Sequence, residues 1–191
     1  MNTCQKIDAF ENHVLNRQLR IAGILGDHFV ANTADNPLSE SAFSIISIVF
    51  SYFEMIEQFS VGRSSHRQSS EFFKRGFRRV FPTTTVNLAD AARLYSLMRC
   101  GMYHSAMPTD RCGLTRELAV PIANENGVIL INPKLLTDKL IEHFQQFCSD
   151  LRGGLDCCLQ QNFETMFDSL RINSTTTSSA TTNTTPAPWD Q

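Results

Sequence analysis

The 191-residue chain has little net charge: 17 Lys and Arg nearly balance 19 Asp and Glu, leaving a formal −2 at pH 7. Such a chain exerts no global pull on nucleic acid or an anionic membrane surface, so any polyanion has to meet a local patch. Glycine is sparse, at nine residues, and forms neither a phosphate-cradling loop nor a nucleophile elbow. P-loop nucleotide hydrolysis and serine hydrolysis are therefore not expected. The N-terminus carries Lys6 and Asp8 in place of the apolar run of a signal peptide, and no apolar stretch reads as long enough to span a bilayer. A cytoplasmic protein without membrane association is the expectation. Its six cysteines are then expected as reduced thiols, with Cys148 and Cys158 on apolar helix faces. Paired CxxC or HxxxH spacings are missing; Cys100, His104 and Cys112 make only a loose ligand set, and the adjacent Cys157 and Cys158 have poor geometry for chelation. No metal and no cofactor are expected.

What the chain does have is apolar mass, 42% of residues with 14 phenylalanines, enough for one sizeable core. Ile7, Phe10, Val14, Ile21, Leu25 and Phe29 recur at helical spacing and predict a long first helix ending before the turn-like Asn32 to Pro37. A very apolar second helix is expected from about Ser39 to Phe59, buried on most sides. Between Arg67 and Phe81 the aromatic and basic residues separate onto two faces, and Pro82 ends that helix. A fourth helix, capped by Asn87 or Asp90, carries Leu88, Ala92, Tyr95, Met98 and Met102, with Pro108 marking its limit.

From Leu118 to Ile131 two apolar runs flank Asn124 to Gly127, which predicts a small β-hairpin, with Pro121 confining its strand to an edge. Asn132 and Pro133 can cap a fifth helix with Leu136, Leu140, Phe144, Phe147 and Leu151 inward, broken by Gly153 and Gly154. A sixth, with Leu155, Leu159, Phe163, Met166 and Leu170 on one face, closes the domain. The expected fold is all-α, an up-and-down bundle of about five to six helices with a small β-hairpin insertion. The expected domain covers residues 4–172. Residues 173–191, rich in Ser, Thr and Asn without apolar periodicity, read as a disordered tail.

The most function-like run is Arg99, Cys100, Gly101, Met102, Tyr103, His104 at the end of the fourth helix. A helical domain whose fourth helix ends in an Arg followed within four to six residues by a His resembles the HEPN superfamily. That resemblance implies a helical, commonly dimeric domain, and many members are metal-independent ribonucleases that act as toxins or in defence against foreign nucleic acid. It differs from many active members in having Cys100 directly after the Arg, where they carry Asn, Asp or His. The chemistry of the pair is independent of the family. RNA cleavage through the 2′-hydroxyl needs a group that moves protons near neutrality, which His104 supplies. It also needs a fixed positive fork for the added phosphate charge, which Arg99 supplies. Tyr103 and Glu54 are expected to support them, and Arg99 has an equally good reading as an ion-pair partner of Glu54 or Glu57.

A second constellation is basic. Arg63, Arg67, Lys74, Arg75, Arg78 and Arg79 stand against the single acid Glu71, a local excess able to neutralise RNA phosphates or, alternatively, to form a solvated helix face. Three functions remain open at this point. One is a homodimeric metal-independent endoribonuclease. Another is an inactive HEPN-like scaffold that associates with a protein partner, for example an antitoxin-like one. The third is an RNA-binding module that uses the stripe alone.

Overall fold

The computed structural model describes residues 1–33, 35–105 and 111–178, and the side chains among them outside 99–105 and 171–178. These residues form a mostly helical protein with a small three-stranded sheet. Helix α1 (Thr3–Glu11) opens with a capping box in which Asn2 and Gln5 satisfy each other's backbone N–H groups. It continues through a π-helical stretch, Asn12–Leu19, into α2 (Arg20–Ala31), which ends on left-handed Asn32. Helices α3 (Ala42–Val49) and α4 (Tyr52–Val61) are separated by Phe50 and Ser51, and α5 (Ser69–Val80) lies against α4. Helix α6 (Leu88–Ser105) leads to the sheet, and α7 (Pro133–Gly153) and α8 (Cys157–Ser178) complete the fold.

The π-helical stretch overturns part of the expected first face. A wider turn inserts one extra position, so the inward set passes from Ile7, Phe10 and Val14 to Leu15, Leu19, Ala22, Gly26 and Phe29. Ile21, which continues the uninterrupted 3.6 pattern, is consequently 46% exposed. The apolar second helix is interrupted where the expectation had it continuous. Taken together as Ala42–Val61, α3 and α4 are long and apolar enough, by length and composition, to cross a membrane, contrary to the sequence reading; more than half of the most apolar window is buried inside the fold. Phe43, on the outer side, is exposed.

The hairpin forms as expected: β2 (Ile122–Glu125) pairs antiparallel with β3 (Val128–Ile131) across Asn126 and Gly127, both at positive φ. Strand β1 (Cys112–Leu114), which was not anticipated, runs parallel to β3 on its other side, giving the order β1-β3-β2 and leaving β2 at an edge. Asn132 then ties sheet to helix. Its Oδ1 accepts from the N–H groups of Lys134 and Leu135, and its Nδ2 donates to the carbonyls of Arg116 and Leu118.

The core is aromatic, with Phe53, Phe72, Phe73, Phe77, Phe144 and Phe163 fully buried. Gly76 lets α5 approach α4 closely, because a Cβ there would overlap the Phe53 carbonyl. Besides Ile21, three inward assignments fail. Leu155 is 99% exposed because it precedes α8, Leu88 is exposed at the first position of α6, and Leu170 is half-exposed. Cys148 is buried as expected, whereas Cys158 is exposed in the first turn of α8 beside exposed Cys157. Helix α8 continues to Ser178, past the expected boundary at residue 172, and the remainder of the Ser/Thr-rich tail lies outside the described residues.

Candidate functional site

Helix α6 is capped by the pair named from sequence, acting together: Asn87 Oδ1 accepts from the Asp90 N–H at 2.9 Å, and Asp90 Oδ2 accepts from the Asn87 N–H at 3.4 Å. The helix carries Arg99, Tyr103 and His104 on one continuous element. Positions five apart on an α-helix are separated by about 7.5 Å along the axis and by roughly 140° around it. The side chains of Arg99, Tyr103 and His104 lie outside the described residues. Glu54, in the first turn of α4, is half-buried and accepts a hydrogen bond from the Ser65 hydroxyl.

The basic constellation divides in two. Arg63 and Arg67 lie in the connection between α4 and α5, both exposed; Arg67 has a positive φ and the Arg63 guanidinium lies 5.4 Å from the centre of the Phe72 ring. Lys74, Arg75, Arg78 and Arg79 occupy adjacent turns of α5 at spacings that give them one outer face. The opposite face, Phe72, Phe73, Gly76, Phe77 and Val80, is buried. Lys74 is held by Glu71 one turn earlier at 2.5 Å. Arg75 and Arg79 are exposed and Arg78 is half-buried, and together with Glu57 they line an open recess of about 280 Å³. Arg78 and Arg79 occupy the last turn, where positive charge complements the helix dipole.

Arg79 is the fixed member. Its Nε donates to Glu57 Oε2 at 2.5 Å, and the Glu57 side chain is only 2% exposed, while Arg79 retains 43%. A buried carboxylate requires such a partner, so the acid orients the guanidinium and leaves part of it at the surface. Glu57, one of the two acids that sequence offers Arg99, pairs with Arg79; the Arg99 side chain lies outside the described residues.

Next to Arg79, on the α7 side, lies a second recess of about 340 Å³, lined by Ser60, Arg79, His143, Gln146, Phe147, Asp150 and Leu159. His143, Gln146, Phe147 and Asp150 follow the i, i+3, i+4, i+7 spacing of one helical stripe. The Tyr52 hydroxyl lies 2.8 Å from His143 Nδ1, and Gln146 Nε2 donates to Asp150 Oδ1 at 2.7 Å. Burial, with Lys139 and Arg79 nearby, lowers the His143 pKa, and burial raises that of Tyr52. A neutral imidazole and a protonated phenol share one proton at this contact, and whichever of the two donates, the Tyr52 hydroxyl occupies Nδ1 and leaves Nε2 for another partner.

Sequence reasoning gave no site role to His143, Tyr52 or Asp150. The Tyr52–His143 contact joins residues 91 positions apart, for which a single sequence holds no signal. Among the described residues no group of His, Cys, Asp and Glu is placed to hold a metal ion. Burial pushes the thiol pKa of Cys112 up to about 11 and that of Cys148 to about 12, so neither is an activated nucleophile. Comparison with family models, curated proteins and solved structures finds no match to the chain.

Proposed function

We propose that this protein is an RNA-binding helical domain that holds the phosphate backbone on the outer face of α5. The observation that carries it is the recess formed by Arg75, Arg78 and Arg79, with Arg79 fixed by the buried Glu57. An arginine already held by a carboxylate loses less side-chain freedom on meeting a phosphate, and the planar fork suits phosphate oxygens. Arg63 and Arg67 extend the positive surface beyond the helix. RNA affinity should fall steeply with salt. Replacing Arg75 and Arg78 by Gln should weaken binding to all sequences and reduce the salt slope by about 0.7–0.9 per lost phosphate contact. Binding that is indifferent to salt, or unchanged in the double variant, refutes the reading.

A second reading is favoured by the continuity of α6 through Arg99 and His104. In it the domain is HEPN-like in fold and descent, an up-and-down bundle that pairs as a homodimer in the cytoplasm, and the α5 face delivers RNA to a metal-independent cleavage site. His104 moves the proton, Arg99 stabilises the phosphorane-like state, and Tyr103 and Glu54 support them. Structured RNA incubated with and without EDTA decides it. Cleavage that survives EDTA and disappears in His104→Ala supports the nuclease; cleavage by neither protein, or equally by both, ends it. A stable complex with an antitoxin-like protein and no RNA affinity would instead indicate a scaffold.

A further inference from the structure

The recess between α5, α7 and α8 has a chemistry that the basic face alone does not. At one end are the anchored Arg79 guanidinium and His143. At the other end of the α7 stripe is Asp150, exposed and hydrogen-bonded by Gln146, with Phe147 between the two on that stripe and Leu159 of α8 lining the same recess. A carboxylate is a poor neighbour for a phosphate and a good acceptor for a sugar hydroxyl. The α7 stripe from His143 to Asp150 spans seven residues, about 10.5 Å at 1.5 Å per residue. That separation keeps the acid away from an anion seated at the other end. The volume, about 340 Å³, falls within the range of small-ligand sites, roughly 300–1,000 Å³.

We infer that this recess is a ribonucleotide site, with the phosphate between Arg79 and His143 and the ribose hydroxyls against Asp150. His143 contributes as a hydrogen-bond donor in the tautomer in which Tyr52 donates to Nδ1, the form a phosphate at Nε2 selects. Its Nδ1 is engaged by Tyr52, so Nε2 is the nitrogen available to the phosphate. Arg79 contributes the part of its fork that Glu57 leaves unused. Phe147 and Leu159 exclude water from the middle of the nucleotide. Sugar selectivity follows from Asp150, since a deoxyribose lacks the 2′-hydroxyl. The chemistry is the same for a free mononucleotide and for the end of an RNA strand. The site deepens the RNA-binding reading by giving the α5 face, which shares Arg79, a terminus to hold.

The test uses the full chain and two probes: an equimolar mixture of the four ribonucleoside 5′-monophosphates, and an RNA oligonucleotide carrying either a 5′-phosphate or a 5′-hydroxyl. Ring resonances of His143, assigned from His143→Gln, report occupancy, and calorimetry reports affinity. The mononucleotides are expected to shift the His143 resonances. His143→Gln should lose about tenfold or more in affinity, the scale of one hydrogen bond to a charged group. Asp150→Asn should bind phosphate while narrowing the preference for ribose over deoxyribose nucleotides. Should the mononucleotides bind weakly, tighter binding of the 5′-phosphate RNA than of the 5′-hydroxyl RNA, abolished in His143→Gln, assigns the site to strand ends. Unmoved His143 resonances with both probes, or wild-type affinity in His143→Gln verified as folded by its circular dichroism, overturn the site. The Arg75→Gln, Arg78→Gln double variant separates the two proposals: it should lose RNA affinity and keep the mononucleotide response. Loss of the RNA reading alone therefore leaves this result interpretable.

Discussion

Two arginines of this protein hold carboxylates with nearly the same exposure of their own side chains, 43% for Arg79 and 40% for Arg152. Their partners differ. Arg79 meets Glu57, 2% exposed, whereas Arg152, on α7, meets Asp8 at 67% and Glu11 at 29% on α1. The Asp8 and Glu11 carboxylates stay hydrated if their arginine leaves, so the pair gives back most of what it gains. Glu57 has far less recourse, because its side chain is only 2% exposed between α4 and α5. The energetic weight of the two pairs is thus set by the acid, although the arginine is the member at the candidate site. Binding at Arg79 and stability of the fold are coupled for that reason, and variants of the two pairs measure how strongly.

The largest effect is expected from Arg79→Ala, which leaves Glu57 buried and unpaired. Urea unfolding should show a loss of about 3–5 kcal/mol. Arg79→Leu combined with Glu57→Met should recover most of that loss, since removing both charges removes the uncompensated one. Failure to recover would place the role of Arg79 in packing. Next comes Gly76→Ala. The obstacle is the backbone carbonyl of Phe53, which cannot rotate away as a side chain can, so the helices must separate. A loss toward the upper end of about 1–3 kcal/mol is expected. Separation also pulls Arg79 from Glu57, so Gly76→Ala and Arg79→Ala should be less than additive in a double-mutant cycle.

A shallower effect is expected from pH. Burial first, and then the positive Lys139 and Arg79, push His143 toward its neutral form, with Asp150 and Glu142 opposing and the Tyr52 hydroxyl at Nδ1. Its folded pKa lies below the unfolded value of about 6.5, so near and below that pH the unfolded chain binds a proton that the fold refuses. Stability should be full above about pH 7.5 and decline as pH falls through 6.5, levelling below the folded pKa. His143→Gln should flatten this slope in thermal unfolding between pH 5 and 8. A slope unchanged in His143→Gln would assign it to another group.

How much of this was legible beforehand depends on how local each feature is. The Asn126–Gly127 turn, the Asn132–Pro133 start of α7 and the Gly154 stop are encoded within two to four residues, and the structure has each where the sequence puts it. Strand β1 has three residues, too few to show alternation, and depends on β3 for its existence. The outward turn of Ile21 follows from the π-helical stretch, whose extra position leaves no composition signature. Cys148 and Cys158 look equivalent by pattern, but α8 begins at Cys157, so Cys158 falls in an exposed first turn. The basic face of α5 was visible because one helix carries it. The Glu57–Arg79 pair and the Tyr52–His143 contact were not, because each joins different helices through the tertiary packing.

The smallest effect, and the sharpest check on the contrast between the two arginines, is Arg152→Ala. Asp8 is exposed and Glu11 keeps 29% of its side chain in water, so the cost should be at most about 1 kcal/mol. In about 1 M salt, where the screening length falls to roughly 3 Å, the difference from wild type should all but vanish. The Arg79→Ala deficit should persist under the same conditions, since the penalty there is desolvation of a buried acid, which mobile ions do not reach. Equal losses for the two arginines, or equal sensitivity to salt, would mean that acid burial does not govern these pairs. The anchoring of Arg79 at the proposed phosphate-binding face would then lose its energetic basis.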